Sequence, residues 1–268
     1  MGLSITNMFT RIKMIYDLQK AALLKRASAY LLDMILLLIV ITGAAFGLSA
    51  VLGYDAYVER LESIYADYEA EYGINFDISQ EEFSALSEEE KKVYEDVNRL
   101  MNEDEEAIEV YNMSVNLALV IASVSILLGY LLLEFIVPII LKNGQTIGKK
   151  VFGIAIIRQD GVRITNLMLF IRTVLGKCTV ETMVPTFIMI LIVFGSLGMT
   201  GTVILAGMAI LQIALVATSK NRTAIHDMMA ATVAVDLASQ MIFESEAEML
   251  AYKNKIHAEN VAKENFYS

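Results

Sequence analysis

Residues 34–53, MILLLIVITGAAFGLSAVLG, run for twenty positions without a charge, the length needed to cross a ~30 Å hydrocarbon core. Lys20, Lys25 and Arg26 precede the run, as they would in a signal peptide. The stretch is longer than a signal h-region of ~7–15 residues and starts only after 33 residues, which favours an uncleaved first span. Three further apolar stretches follow. Residues 113–133 (MSVNLALVIASVSILLGYLLL) form a second span, extended through Glu134 to Leu141. Residues 182–218 hold 37 positions without a charge; one straight helix of that length would measure ~55 Å, so the run must break. Gly195-Ser-Leu-Gly-Met-Thr-Gly201 is the expected break, leaving four spans in all.

Composition agrees. The 268 residues are 56% hydrophobic and 19% charged, with a mean hydropathy of +0.54, an apolar share high for a soluble domain. The formal charge is −10, unevenly placed: residues 54–112 hold 19 of the 31 acids and 4 of the 21 bases, a local net of −15. Cys178 is the single cysteine, which excludes a disulfide framework and a multi-cysteine metal site.

Lysine and arginine in the short loops orient the spans. The first 26 residues carry five bases against one acid, and residues 142–177 carry seven against Asp160 alone. Lys220 and Arg222 follow the last span. The expected organisation is a cytoplasmic basic N-terminus (1–26), spans at 27–53, 113–141, 178–196 and 201–218, an outward acidic segment (54–112), a cytoplasmic basic connector (142–177) and a cytoplasmic C-terminal segment (219–268). Both termini then lie inside the cell membrane.

The acidic segment shows apolar residues at helical spacing (Leu61, Tyr65, Tyr68; Phe83, Leu86, Val93, Val97, Leu100). Ser79 and Ser87 each precede a Glu by three residues (Glu82, Glu90), the capping-box pattern. A helical hairpin is expected, its charge either a solvated face or a surface that gathers cations or a partner. In the connector, VFGIAIIRQDGVRI (151–164) predicts a β-hairpin turning at Asp160-Gly161. LMLFIRTVL (167–175) predicts a helix at the membrane interface. Gly144-Gln-Thr-Ile-Gly148-Lys149 resembles a phosphate loop but has three residues between its glycines, and Lys150 where Ser or Thr is required.

Ionisable groups at membrane depth are costly and need partners. Arg26 and Asp33 are seven residues apart, on one helix face and ~10 Å apart along the axis. Asp33 is either an interface carboxylate or an inward group that pairs with a cation and titrates during transport. Glu134 and Glu181 stand at the expected inner ends of spans two and three, as boundary groups or facing a cavity beside Asp33. His226 beside Asp227 is either structural or a pH-sensitive pair. Gly43-x-x-x-Gly47 permits close helix packing, and Pro185 is expected to kink span three. No nucleophile–base pair, cofactor loop or metal cluster is recognisable, so no enzyme activity, cofactor, metal or nucleic-acid partner is expected.

The run Leu24-Lys-Arg26-Ala27-Ser-Ala-Tyr-Leu-Leu-Asp33 resembles the start of the RDD family of integral membrane proteins, whose Arg, Asp and second Asp map here to Arg26, Asp33 and Asp227. Gly144–Ile154, the Asp160-Gly161 turn, Arg172 and the stretch 221–235 follow in the family's order. Two departures stand out: the acidic 54–112 segment is extra, and Ala231 occupies a position usually held by Gly. The resemblance implies a multi-span membrane protein, with ligand transport, cation–proton exchange or an accessory role in a membrane complex as the roles open to it. Two function classes follow. One is a transporter-like protein in which Asp33 and Asp227 bind a cation or proton against Arg26 or Arg222. The other is a scaffold whose acidic segment docks a protein partner. The bilayer is a partner in either. Four spans enclose little space, so a transporter is expected to form a homo-oligomer.

Overall fold

The computed structural model describes residues 18–219, 221 and 223–266. Arg222, expected near the site, lies outside the described residues, as does Lys220. Among the described residues, four helices are long and apolar enough to cross a membrane: α1 (Leu23–Leu52), α5 (Glu105–Leu141), α7 (Asn166–Val193) and α8 (Gly198–Thr218). The shorter helices are α2 (Tyr54–Tyr72), α3 (Gln80–Ala85), α4 (Glu88–Glu103), α6 (Ile147–Val151), α9 (Ile225–Met229) and α10 (Glu246–Phe266). The strands are β1 (Ile154–Arg158) and β2 (Thr232–Asp236). The chain divides into two compact units, residues 41–126 and the remainder.

In the 41–126 unit the acidic segment forms α2, α3, α4 and the start of α5, more elements than a two-legged hairpin. Both Ser-x-x-Glu patterns are capping boxes, at Ser79/Glu82 and Ser87/Glu90, and two caps eight residues apart start two separate helices. Gly73 ends α2 in the left-handed conformation (φ 68°), as a glycine readily does. A small core joins Ile64 of α2 to Ala107 and Val110 of α5, flanked by Leu61, Tyr68 and Met101. Phe76 and Phe83 each pack edge-on against Tyr94 (ring centroids 5.7 and 5.2 Å). Most carboxylates of the segment remain at the surface.

The other unit is organised by a two-stranded antiparallel sheet in which Ile154 opposes Asp236 and Arg158 opposes Thr232. Ile154, Ile156 and Ala234 pack on Ala21 and Ala29; Ala155, Ile157, Val233 and Val235 pack on Leu18, Leu237 and Ile242. Both faces are covered, which is why both strands read as continuous apolar runs. This corrects the expected local hairpin. The Asp160-Gly161 turn forms, with Arg158 N donating to Val162 O (2.9 Å), yet pairing after it stops at one bridge, Ile157 to Arg163. The distant 232–236 run pairs with all of β1 and places apolar side chains on both buried faces of the sheet, Ala234 on one and Val233 and Val235 on the other.

The 167–175 stretch is corrected as well. It is the start of α7, continuous into the third apolar helix, and buries Arg172, Thr173, Gly176 and Lys177. Residues 171–183 are wound as a π-helix, as are Leu131–Ile136 in α5. Each π stretch is followed within two residues by one of the chain's two prolines, Pro138 and Pro185. A proline has no N–H to give the preceding turn, so regular α winding cannot run through it unbroken. The break between the last two spans falls at residues 194–197, with Gly195 and Gly198 both at positive φ.

Candidate functional site

The sequence-predicted ionisable residues other than Arg222, which lies outside the described residues, converge on one polar cluster within the sheet-containing unit. Asp33, on α1, accepts hydrogen bonds from Thr146 Oγ1 (2.5 Å) and from the backbone N–H of Gly148 (2.8 Å), and Lys149 Nζ lies 3.3 Å from its Oδ2. Thr146 also caps α6 by accepting from Lys149 N. A Cβ on Gly148 would strike the Ala29 carbonyl oxygen and come within 2.8 Å of Asp33 Oδ1, so a glycine is required for this backbone to reach the carboxylate. Asp33 is thus paired with a cation from another segment, and among the described residues that cation is Lys149.

Glu134, on the π stretch of α5, is buried between two ammonium groups, Lys177 Nζ at 2.6 Å from Oε1 and Lys149 Nζ at 3.8 Å from Oε2. Its Oε2 has no hydrogen-bond partner, and the more distant Lys149 supplies the compensating charge. Thr173 Oγ1 donates to the Glu134 carbonyl at 2.8 Å, tying the π stretches of α5 and α7 together.

Asp227, on α9, is 1% exposed. Arg172 Nε donates to its Oδ1 (2.9 Å), Thr232 Oγ1 donates to the same oxygen (2.9 Å), and Arg26 Nη2 lies 3.8 Å from Oδ2. Burial alone would raise this carboxyl's pKa, but Arg172, His226 and Arg26 together hold it well below the usual carboxylate range. The two aspartates and the arginine singled out by sequence thus belong to one cluster, but Arg26 pairs with Asp227, 201 positions away, rather than with Asp33.

Glu181, on α7, faces His226. The imidazole Nδ1 lies 2.8 and 2.9 Å from its two oxygens, and the His226 backbone N–H donates to it at 3.0 Å. His226 Nε2 is 3.6 Å from Asp227 Oδ2. Burial lowers the His226 pKa, helped by Arg172 and Lys177, and this outweighs the opposing pull of Asp227 and Glu181. A neutral ring must then carry its proton on Nδ1 to donate to Glu181. The α7–α9 contact requires Gly176, where a Cβ would lie 2.6 Å from His226 Cβ.

Gly43 and Gly47 have nothing within 4 Å of an added Cβ among the described residues. Pro185 directly follows the π stretch that carries Arg172, Lys177 and Glu181. Among the described residues, no group of three or more His, Cys, Asp or Glu side chains is arranged to hold a metal ion.

Sequence reasoning does not place Lys149 or Lys177 in the site: both count there as connector charges that orient the spans, and Lys149 also as part of the Gly144–Ile154 motif. A signal for Lys149 was present, because Thr146 stands three residues before it at a helix start. Lys177 lies five residues after Arg172, a spacing off-face in an α-helix but brought closer to one face by the i→i+5 winding of a π stretch.

A family model described as the RDD family matches residues 20–231, the span that contains every ionisable side chain of this cluster. No curated protein and no solved structure matches the chain.

Proposed function

Because the chain belongs to the RDD family, we propose that it is a multi-pass transporter-like protein of the cell membrane in which a proton or small cation exchanges with a lysine at a buried carboxylate. The observation that carries this reading is the position of Lys149, shared between Asp33 (3.3 Å) and Glu134 (3.8 Å). One ammonium serving two carboxylates is a counter-charge with two resting places. A proton or cation arriving at Asp33 displaces Lys149 toward Glu134, and its departure lets Lys149 return. Arrival adds one positive charge to the cluster and departure removes it, yet each carboxylate keeps a compensating cation or proton throughout, which avoids leaving an unpaired carboxylate in a low-dielectric site. Arg26, Arg172 and Asp227 act as the fixed part, joining α1, α7 and α9. The termini and basic connector lie on the cytoplasmic side by the positive-inside rule, and the protein works as an oligomer, without catalysing a chemical reaction.

The test is proton flux in proteoliposomes, followed with a lumenal pH dye under an imposed cation gradient, for wild type and Asp33→Asn. Flux in wild type that disappears in a folded, inserted variant supports the reading; equal flux in both would sink it.

A second reading has its own observation. The acidic segment lies in a compact unit with its own core and carries surface carboxylates, as a docking surface of a scaffold or accessory subunit would. Deleting residues 57–108 should then leave the spans inserted but lose a protein that co-purifies from the native membrane. Purification of the intact chain alone would defeat this alternative.

A further inference from the structure

The charged cluster borders a cleft whose wall has one sign of charge. Among the described residues, Arg26, Tyr30, Lys149, Arg172, Lys177 and His226 line it, and none of those lining it is a carboxylate. Asp33, Glu134 and Asp227 neutralise these cations without lining the cleft themselves. The remaining wall includes Ile154 and Ile156, and apolar walls strengthen any charge interaction made inside.

Arg172 is the informative residue. It is 2% exposed, and its Nε is spent on Asp227. Among the described residues, neither of its terminal nitrogens has a hydrogen-bond acceptor, and neither is among the sealed, unpartnered atoms of the protein. A buried guanidinium therefore keeps a planar fork of N–H donors open on the cleft. Lys149 and Lys177 stand on the same wall, and the Tyr30 side chain also borders it. A fork beside two ammonium groups matches a tetrahedral oxyanion, to which arginine donates in bidentate fashion and lysine as a point charge.

We propose that this cleft binds a phosphate-bearing anion, either the phosphodiester of an anionic lipid headgroup or a free phosphate. Basic pockets between membrane helices are a recurrent form of headgroup site. The inference does not rest on transport, because it requires only the cleft and its donors.

The test uses the full chain in phosphatidylcholine nanodiscs and reads the thermal unfolding midpoint. Inorganic phosphate is titrated against chloride at equal ionic strength, and a parallel series replaces phosphatidylcholine stepwise with phosphatidylglycerol. A saturable rise with phosphate identifies a soluble anion; a rise with phosphatidylglycerol alone identifies a headgroup; either supports the proposal. Arg172→Lys, which keeps the charge but removes the fork, should raise the half-saturating phosphate concentration or lipid fraction about tenfold. If that variant does not fold, Arg26→Gln decides, since Asp227 retains Arg172; the same shift is expected. No stabilisation in either series would overturn the proposal. So would stabilisation with an unchanged half-saturating concentration or lipid fraction in the folded variants. Because no flux is measured, failure here is distinct from failure of the exchange reading.

Discussion

Arg172 and Asp227 form a buried ion pair, Nε to Oδ1 at 2.9 Å, with side chains 3% and 1% exposed. They are 55 positions apart, on the π stretch of α7 and on the five-residue helix α9. The pair joins a candidate span to the segment that leads into β2. An ion pair so buried adds little net stability over an apolar pair of the same shape, yet losing one partner strands the other.

Asp227→Asn should therefore destabilise the protein by about 3–5 kcal/mol, by leaving Arg172 buried without its main counter-charge. The double variant Arg172→Met/Asp227→Leu should recover a large part of that loss. Thermal unfolding in detergent, with all three variants side by side, checks both statements; equal stability of wild type and Asp227→Asn would contradict the first.

Stability should fall as the solution is acidified below about pH 6.5. The folded-state pKa of His226 lies below its ordinary value, so just below that value the unfolded chain takes up a proton that the folded one refuses. Its contribution is present above the ordinary imidazole range and is lost as pH falls toward the folded pKa. Asp227 adds a second loss at lower pH, because its carboxyl is also held low in the folded state. The groups that face His226 are Glu181, Asp227, Arg172 and Lys177. His226→Gln should flatten the first of the two steps. Unfolding midpoints measured between pH 8 and pH 5, on wild type and variant, decide the matter.

Ala231 adopts φ 51°, the left-handed region in which a Cβ is strained. Ala231→Gly should stabilise the protein by about 0.5–1 kcal/mol, and Ala231→Val should destabilise it. An unfolding midpoint that drops on Ala231→Gly would show that the turn into β2 is not strained.

Gly176→Ala should push α9 away from α7, since the new methyl would meet both the Cβ and the Cα of His226 (2.6 and 2.7 Å). Overpacking of this kind costs about 1–3 kcal/mol. The added readout is local: faster amide hydrogen exchange across residues 225–236 with little change in the 41–126 unit.

Local composition was enough to find the four apolar helices, because a span is defined by the solvent it needs and each of its residues reports on that solvent independently. The capping boxes at Ser79 and Ser87 and the turn at Asp160-Gly161 were legible for the same reason, since donor and acceptor lie within a few residues. The ordered motifs at Arg26, Asp33 and 221–235 were enough to identify the family. What tertiary structure alone decided is who pairs with whom. Asp33 meets Lys149 across 116 positions, Arg26 meets Asp227 across 201, and β1 leaves the adjacent 162–164 run for a strand over seventy residues away. Electrostatic neutralisation and coverage of two apolar faces are conditions on space, not on sequence distance. Many local sequences satisfy them equally well, and only the folded chain selects among them.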